Sequence, residues 1–238
     1  MVTHLEIGGV SVDVVKKDIK NVHLSVHPPT GRIRIAAPSR LSIETIRVFA
    51  ISKLKWIKLQ QTKLQAQERE TPREYIERES HYLWGKRYLL SIAESPQPPS
   101  VELNHNRIVL HVRPHTSVQA RQIILEEWYR EQIKREVPRL LAKWEPIIGV
   151  KIGRYFIRRM KTKWGSCNVR SRSILLNTDL AKKPHQCLEY ILVHEIVHLL
   201  EPTHSSRFVA LMDSFIPKWR SCRQLLNQLP VRHESWEY

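Results

Sequence analysis

From Ile191 to Leu200, every residue other than His194, Glu195 and His198 is isoleucine, leucine or valine. A helix that is apolar on all sides has no solvent face, so it must run through the interior with other elements packed around it. The constraint is severe, because the same helix carries two imidazoles and a carboxylate inward. Buried polar groups without partners are costly, so these three need a common solution.

One ion supplies it. Residues four apart lie on one face of a helix, so His194 and His198 can aim at a single metal. Glu195 lies about 100° round the axis, beside the ion rather than on it. There it can take a proton from a water on the metal and pass it to a leaving group. Zinc suits this donor set because imidazole binds it well and it does no redox chemistry. For a third ligand, His204 follows six residues after His198, and Pro202 ends the helix near Glu201 so that the chain can turn back. His204 is favoured; a carboxylate from a later helix, with Asp213 the nearest, is its rival.

The rest of the chain alternates between strand and helix patterns. Ile7-Gly8-Gly9-Val10 is a hairpin signal between apolar-polar alternations, and His27-Pro28-Pro29-Thr30-Gly31 breaks the next pair. Ser42 opens a helix whose stripe is Ile43, Ile46, Ala50, Leu54 and Ile57, with Lys53, Lys55, Lys58 and Lys63 making the remainder basic. Residues 82–92 and 101–112 read as strands. A helix follows over 117–144, its face formed by Leu125, Tyr129, Ile133, Val137, Leu140 and Trp144, and Pro138 predicts a kink or break near Val137. Short strands at 155–160 and 173–176 flank Trp164-Gly165-Ser166-Cys167-Asn168, and helices are expected over 184–200, 205–215 and 217–229. No internal repeat is visible. The class is α+β, with residues 1–115 read as N-terminal β-hairpins with a basic helix, packed on a core formed by 116–238.

Charge and cysteine content narrow the function. Across 238 residues, 39 lysines and arginines against 23 acids give a formal charge of +16, which favours polyanions as neighbours or serves solubility alone. Only 7 glycines occur and none cluster into a phosphate-cradling loop. The three cysteines, Cys167, Cys187 and Cys222, are too few for a disulfide framework and form no Cys-x-x-Cys pair, which excludes a zinc ribbon. Without a signal pattern or an apolar run of membrane length, a cytoplasmic location is expected and no membrane partner. Oligomeric state is not legible.

Three segments together resemble the YgjP-like metallopeptidase domain family, relatives of the SprT and WLM zincins. They are Trp164-Gly165-Ser166-Cys167; Ile174-Leu175-Leu176-Asn177 with Leu180 and Pro184; and His194-Glu195-Ile196-Val197-His198-Leu199 followed by His204, Ser205 and Phe208. The chain departs from the pattern at Asn168, where a small hydroxyl residue is common, and at Val209, where tryptophan is common. The resemblance implies a zincin-like core with the HExxH helix packed on a small β-sheet, one zinc per chain on His194, His198 and His204, and Glu195 catalytic. It also implies that the Trp164–Cys167 strand borders the cleft, where it could pair with an extended peptide.

Three functions follow as expectations: a zinc metallopeptidase; a nucleoside triphosphate pyrophosphohydrolase acting on UTP-like nucleotides at the same metal; or a DNA-associated protease. Arg158, Arg159, Lys161 and Lys163, just before Trp164, are the candidate cationic patch for a nucleotide or nucleic acid partner. Trp164 and Cys167 read as packing residues, since Cys167 has no local histidine partner. His185 and Glu189 read as flanking groups of the metal helix, and His23, His27, His105, His111 and His115 as solvated side chains.

Overall fold

A computed structural model describes residues 2–27, 30–66 and 70–230. Its internal contacts divide the chain into two compact units, meeting between Glu70 and Thr71. The sequence reading placed the boundary after residue 115; residues 71–115 share one apolar core with the helices that follow them.

In the first unit, β1 (Val2–Ile7) and β2 (Val10–Lys17) form a hairpin around Gly8 and Gly9, and β3 (His23–His27) pairs with β4 (Arg32–Pro38). The centre of the sheet is a parallel β2–β4 contact, giving the order β1-β2-β4-β3. The break expected at His27–Gly31 falls partly outside the described residues, at Pro28 and Pro29. Alternation puts Leu5, Ile7, Val12, Val14, Ile33 and Ile35 on the covered face, against Ile46, Ala50 and Ile57. The basic helix is in two pieces, α1 (Ile43–Ser52) and α2 (Leu54–Ala66), interrupted at Lys53. Ser52 Oγ donates to the Phe49 carbonyl at 2.7 Å, a local bond that competes with helix continuation. The apolar stripe survives the interruption.

The second unit begins with the same arrangement. Strands β5 (Ser80–Leu83), β6 (Lys86–Glu94), β7 (Ser100–Asn104) and β8 (Arg107–Val112) form a sheet of order β5-β6-β8-β7. Again two antiparallel hairpins meet through a parallel central pair, here β6 and β8, and a helix capped by serine follows. Ser117 accepts from Ala120 N at 3.3 Å, as Ser42 accepts from Thr45 N at 3.1 Å. The topology is thus repeated although no repeat is legible in the residues. The sequence reading of 82–92 as one strand is corrected: Trp84 and Gly85, with φ 51° and 80°, make a turn inside it. Only glycine takes such a φ without strain, and a Cβ on Gly85 would also lie 2.8 Å from Pro184.

Helix α3 (Val118–Ile148) runs unbroken through Pro138, so the expected break does not occur. Pro138 and Lys134 are exposed, so water can satisfy the Lys134 carbonyl that proline leaves without a donor, while Val137 and Leu140 stay buried. A three-stranded sheet follows, order β10-β11-β9, from β9 (Arg154–Arg158), β10 (Gly165–Asn168) and β11 (Ser173–Asn177); β10 is an edge strand. A short 3₁₀ segment (Thr178–Lys182) leads into α4 (His185–Val197), and α5 (Ser206–Phe215) and α6 (Trp219–Gln228) close the unit. Helix α4 is the buried helix: Leu188, Leu192, Val193, Ile196 and Val197 have no exposed surface. The β5–β6 turn docks at its start, where Trp84 N donates to the Ala181 carbonyl at 2.7 Å and Trp84 stacks on His185 at 4.0 Å. No helix among the described residues is long and apolar enough to cross a membrane.

One buried polar contact couples this fold to pH. His81 is 3% exposed and its Nε2 lies 2.8 Å from Glu79, whose carboxylate also accepts from the amides of Glu74 and Tyr75. Burial pushes the His81 pKa down to about 4, Arg73 and Lys182 adding to the shift and Glu79 opposing it. The folded state therefore binds fewer protons than the unfolded one below the ordinary histidine pKa near 6.5. The stability His81 contributes is complete above that pH and is lost as pH falls toward 4. Chemical denaturation between pH 7 and 4 should show this decline, and His81→Gln should flatten it; an unchanged slope in that variant would remove His81 as its source.

Candidate metal centre

The three histidines come together from two segments. His194 and His198 sit on successive turns at the end of α4, and the chain reverses through Glu201–Thr203 to present His204 just before α5. One ring nitrogen from each lies within 4.8 Å of the others. The Nε2 atoms of His194 and His204 are 3.0 Å apart and face one another. The reversal has its own bonds: Glu201 Oε1 accepts from Thr203 Oγ1 at 2.8 Å, and Ser205 caps α5 by accepting from Phe208 N at 3.3 Å.

Phe208 underlies all three rings, with centroids 4.9 Å from His194 and 4.8 Å from both His198 and His204. It is 2% exposed, so it sets the depth of the cluster. The Nδ1 of His198 lies 3.1 Å from the Glu201 carbonyl, which fixes that nitrogen as the protonated one and leaves Nε2 with a free lone pair. Burial, then the nearby His198 and His204, push the His194 pKa down to about 3. Burial also lowers that of His198. Neutral imidazole is the form that binds a metal, so an all-imidazole donor set with His194 and His198 half-buried and His204 exposed fits a divalent zinc-type ion.

Glu195 stands beside this cluster, 5% exposed, with burial pushing its carboxyl up to about 7 against the pull of Lys163. Its neighbour is the edge strand β10. A Cβ on Gly165 would meet Glu195 Oε1 at 2.7 Å, Glu195 Cγ at 2.9 Å and Ile191 Cγ2 at 2.9 Å. Only a residue without a side chain lets the strand lie this close to the helix. Asn177, buried at the end of β11, holds the approach to β10: its Nδ2 donates to the carbonyls of Met160 and Lys163, each at 2.8 Å. Its backbone N–H donates to the Trp164 carbonyl at 2.9 Å.

Other candidates are placed elsewhere. Asp213 accepts from Trp219 Nε1 at 2.8 Å and from Arg220, outside the histidine cluster. Glu189 accepts from Trp144 Nε1 at 2.9 Å and Lys143 at 2.6 Å, tying α4 to α3. Burial pushes the Cys167 thiol up to about 11, with Glu195 adding to the effect, so it is no nucleophile. Of the four cations before Trp164, Arg158 and Arg159 are drawn away from β10. Arg158 ends β9, separated from β10 by β11, and Arg159 lies 3.9 Å from Glu126 of α3. Sequence reasoning missed Gly165 and Asn177 as determinants of the site, because close approach and carbonyl anchoring leave no mark in residue type.

The fold and site define a mixed α+β protein with a candidate three-histidine metal centre. Residues 20–229 match the model of the family described as YgjP-like, metallopeptidase domain, and the chain belongs to that family. It is a metallopeptidase by that membership, and a metal ion goes with the class. Among solved structures, it is similar to the metallopeptidase zymogen of Pyrococcus abyssi abylysin, with 23% identity and a TM-score of 0.36 over 41% of this chain and 99% of that one. It is also similar to the zymogen of Methanocaldococcus jannaschii jannalysin, with 24% identity and a TM-score of 0.32 over 40% and 89%. No curated protein sequence matches the chain.

The contact at Gly165 gives a direct test of how the site is set. Gly165→Ala should force β10 and α4 apart beside Glu195 and lower kcat by up to about a hundredfold, as a displacement near 1 Å can do. Metal analysis and steady-state kinetics on the same preparation check this; full activity in the variant would show that β10 does not position Glu195.

Proposed function

We propose that the protein is a zinc-dependent peptidase in which His194, His198 and His204 hold one zinc ion per chain and Glu195 is the general base. The observation that carries the reading is the meeting of three imidazoles beside a buried glutamate that is not among the donors of the cluster. Zinc in that position supplies Lewis acidity toward water and a carbonyl oxygen, bringing the water's pKa near about 7.

The chain's own groups do the rest. Glu195, held by Ile191 and Gly165, accepts a proton from the attacking water on its carboxylate. It then delivers that proton to the departing amine nitrogen, so one group serves as base and acid in turn. Burial shields the carboxylate from bulk water and keeps its proton from exchanging away during the step. Strand β10 has a free edge, and an extended peptide pairing there is laid along the flank of α4 beside Glu195. The Phe208 floor and the His198–Glu201 bond keep the imidazoles oriented before the ion arrives.

Replacing the base without touching a ligand separates the roles. Glu195→Gln should keep about one zinc per chain while lowering kcat by at least about a hundredfold. His204→Ala should instead lose zinc affinity, and Asp213→Ala should not. Loss of zinc in Glu195→Gln, or turnover surviving in it, would contradict the assignment.

A further inference from the structure

We propose that the outer face of α1 and α2 docks on a membrane surface rich in anionic phospholipid. The first unit carries this site, independently of the metal centre. The inner side of the two helices is fixed by burial: Ile46, Ala50 and Ile57 belong to the core of that unit. Val48 and Leu59 follow Ile46 and Ile57 by two residues, so each points about 200° round the axis from its buried neighbour. Ile51 and Trp56 flank that outer row. Val48, Leu59, Ile51 and Trp56 are 66%, 51%, 53% and 44% exposed, and none belongs to either apolar core. Single apolar side chains are ordinary on a surface. Four along roughly 16 Å of helix make a face that lacks its partner.

Charge selects the occupant. Between Arg47 and Ala66 the sequence holds no aspartate or glutamate. Lys55 lies in the apolar row, Lys58 beside it and Lys53 at the join of the two helices. All three are exposed, and none forms an ion pair with the described residues. Lysine lays its apolar stem along such a row and lifts its ammonium to the level of a phosphate, while tryptophan favours the boundary between headgroup and acyl chain. Aliphatic side chains, a tryptophan and lysines on one helical face are the composition of a helix that lies in the plane of a membrane. A second copy of the chain would set lysine against lysine. A nucleic acid would answer the lysines through its phosphates and leave the aliphatic side chains in water. An acidic protein would need a groove to receive the outer side of a helix, whereas a lipid interface yields to it. The expectation of no membrane partner rested on the lack of a spanning segment, which a surface contact does not require.

The test uses the full zinc-loaded chain with vesicles of phosphatidylcholine alone or with about one third phosphatidylglycerol. Co-sedimentation should show binding to the anionic vesicles at least about tenfold tighter than to the neutral ones, weakening as salt is added. Lys55→Gln with Lys58→Gln should lower that affinity about 25-fold, about fivefold for each lysine near the surface. Val48→Ser with Leu59→Ser should lower it about tenfold while the salt dependence persists. All four positions are exposed, and circular dichroism checks that both variants are folded. A local readout needs neither variant: brominated phospholipid should quench part of the wild-type tryptophan fluorescence, and Trp56→Phe should lose that quenching. No binding to either vesicle, equal binding to both, or an affinity unchanged by the serine pair would overturn the proposal. Quenching that survives in Trp56→Phe would overturn it by putting the contact on another surface. Binding to polyglutamate but not to vesicles would replace the membrane with an acidic protein. A dimer in sedimentation equilibrium that the serine pair abolishes would replace it with a second copy.

Discussion

The close contact between strand β10 and helix α4 is the constraint around which the second unit is built. From Ile191 to Val197 helix α4 is enclosed by apolar packing, and Gly165 lets a sheet edge lie against it beside Glu195. Asn177 fixes the loop entering β10, the 3₁₀ segment after Asn177 sets the start of α4, and the Trp84–Gly85 turn buttresses that start. Each is a tether on one or other side of the same contact. A shift of the strand would change the packing against Glu195, and a shift of the helix would move Glu195 together with His194 and His198.

The apolar seal also sets the chemistry. Exposed imidazoles near their ordinary pKa would be partly protonated in neutral water, and an exposed glutamate would be fully ionised and solvated. Burial drives His194, His198 and Glu195 toward their neutral forms, the two histidines downward and the glutamate upward. The result is a donor set ready for a cation next to a carboxyl group able to gain and lose a proton. The same environment leaves Cys167 a thiol, which removes it as a competing nucleophile.

Much of this was legible in residue order, and the reasons for the exceptions are specific. His194, Glu195 and His198 stood out because helical spacing converts a short string into a face, and the apolar residues between them announced burial. His204 could be favoured but not separated from Asp213, because a chain reversal is set by bonds such as Glu201–Thr203 that spacing does not encode. The boundary near Glu70 was hidden because both units open with the same strand pattern, two hairpins joined through a parallel pair. Trp84–Gly85 passed as strand because Tyr82 to Ile92 is otherwise rich in β-forming residues, while Lys53 interrupts a helix whose apolar stripe continues without a gap. Pro138 does not end α3: the carbonyl it leaves without a donor is on the exposed side of the helix, where water can satisfy it.

A metal-edge anomalous diffraction measurement on crystals of the zinc-loaded chain tests the central claim most directly. The account requires a single peak bonded to one nitrogen each of His194, His198 and His204 at about 2.0–2.1 Å, with Glu195 near the ion but outside its bonding distance. A carboxylate ligand in place of His204, a second ion in the site, or Glu195 bound directly to the metal would contradict it.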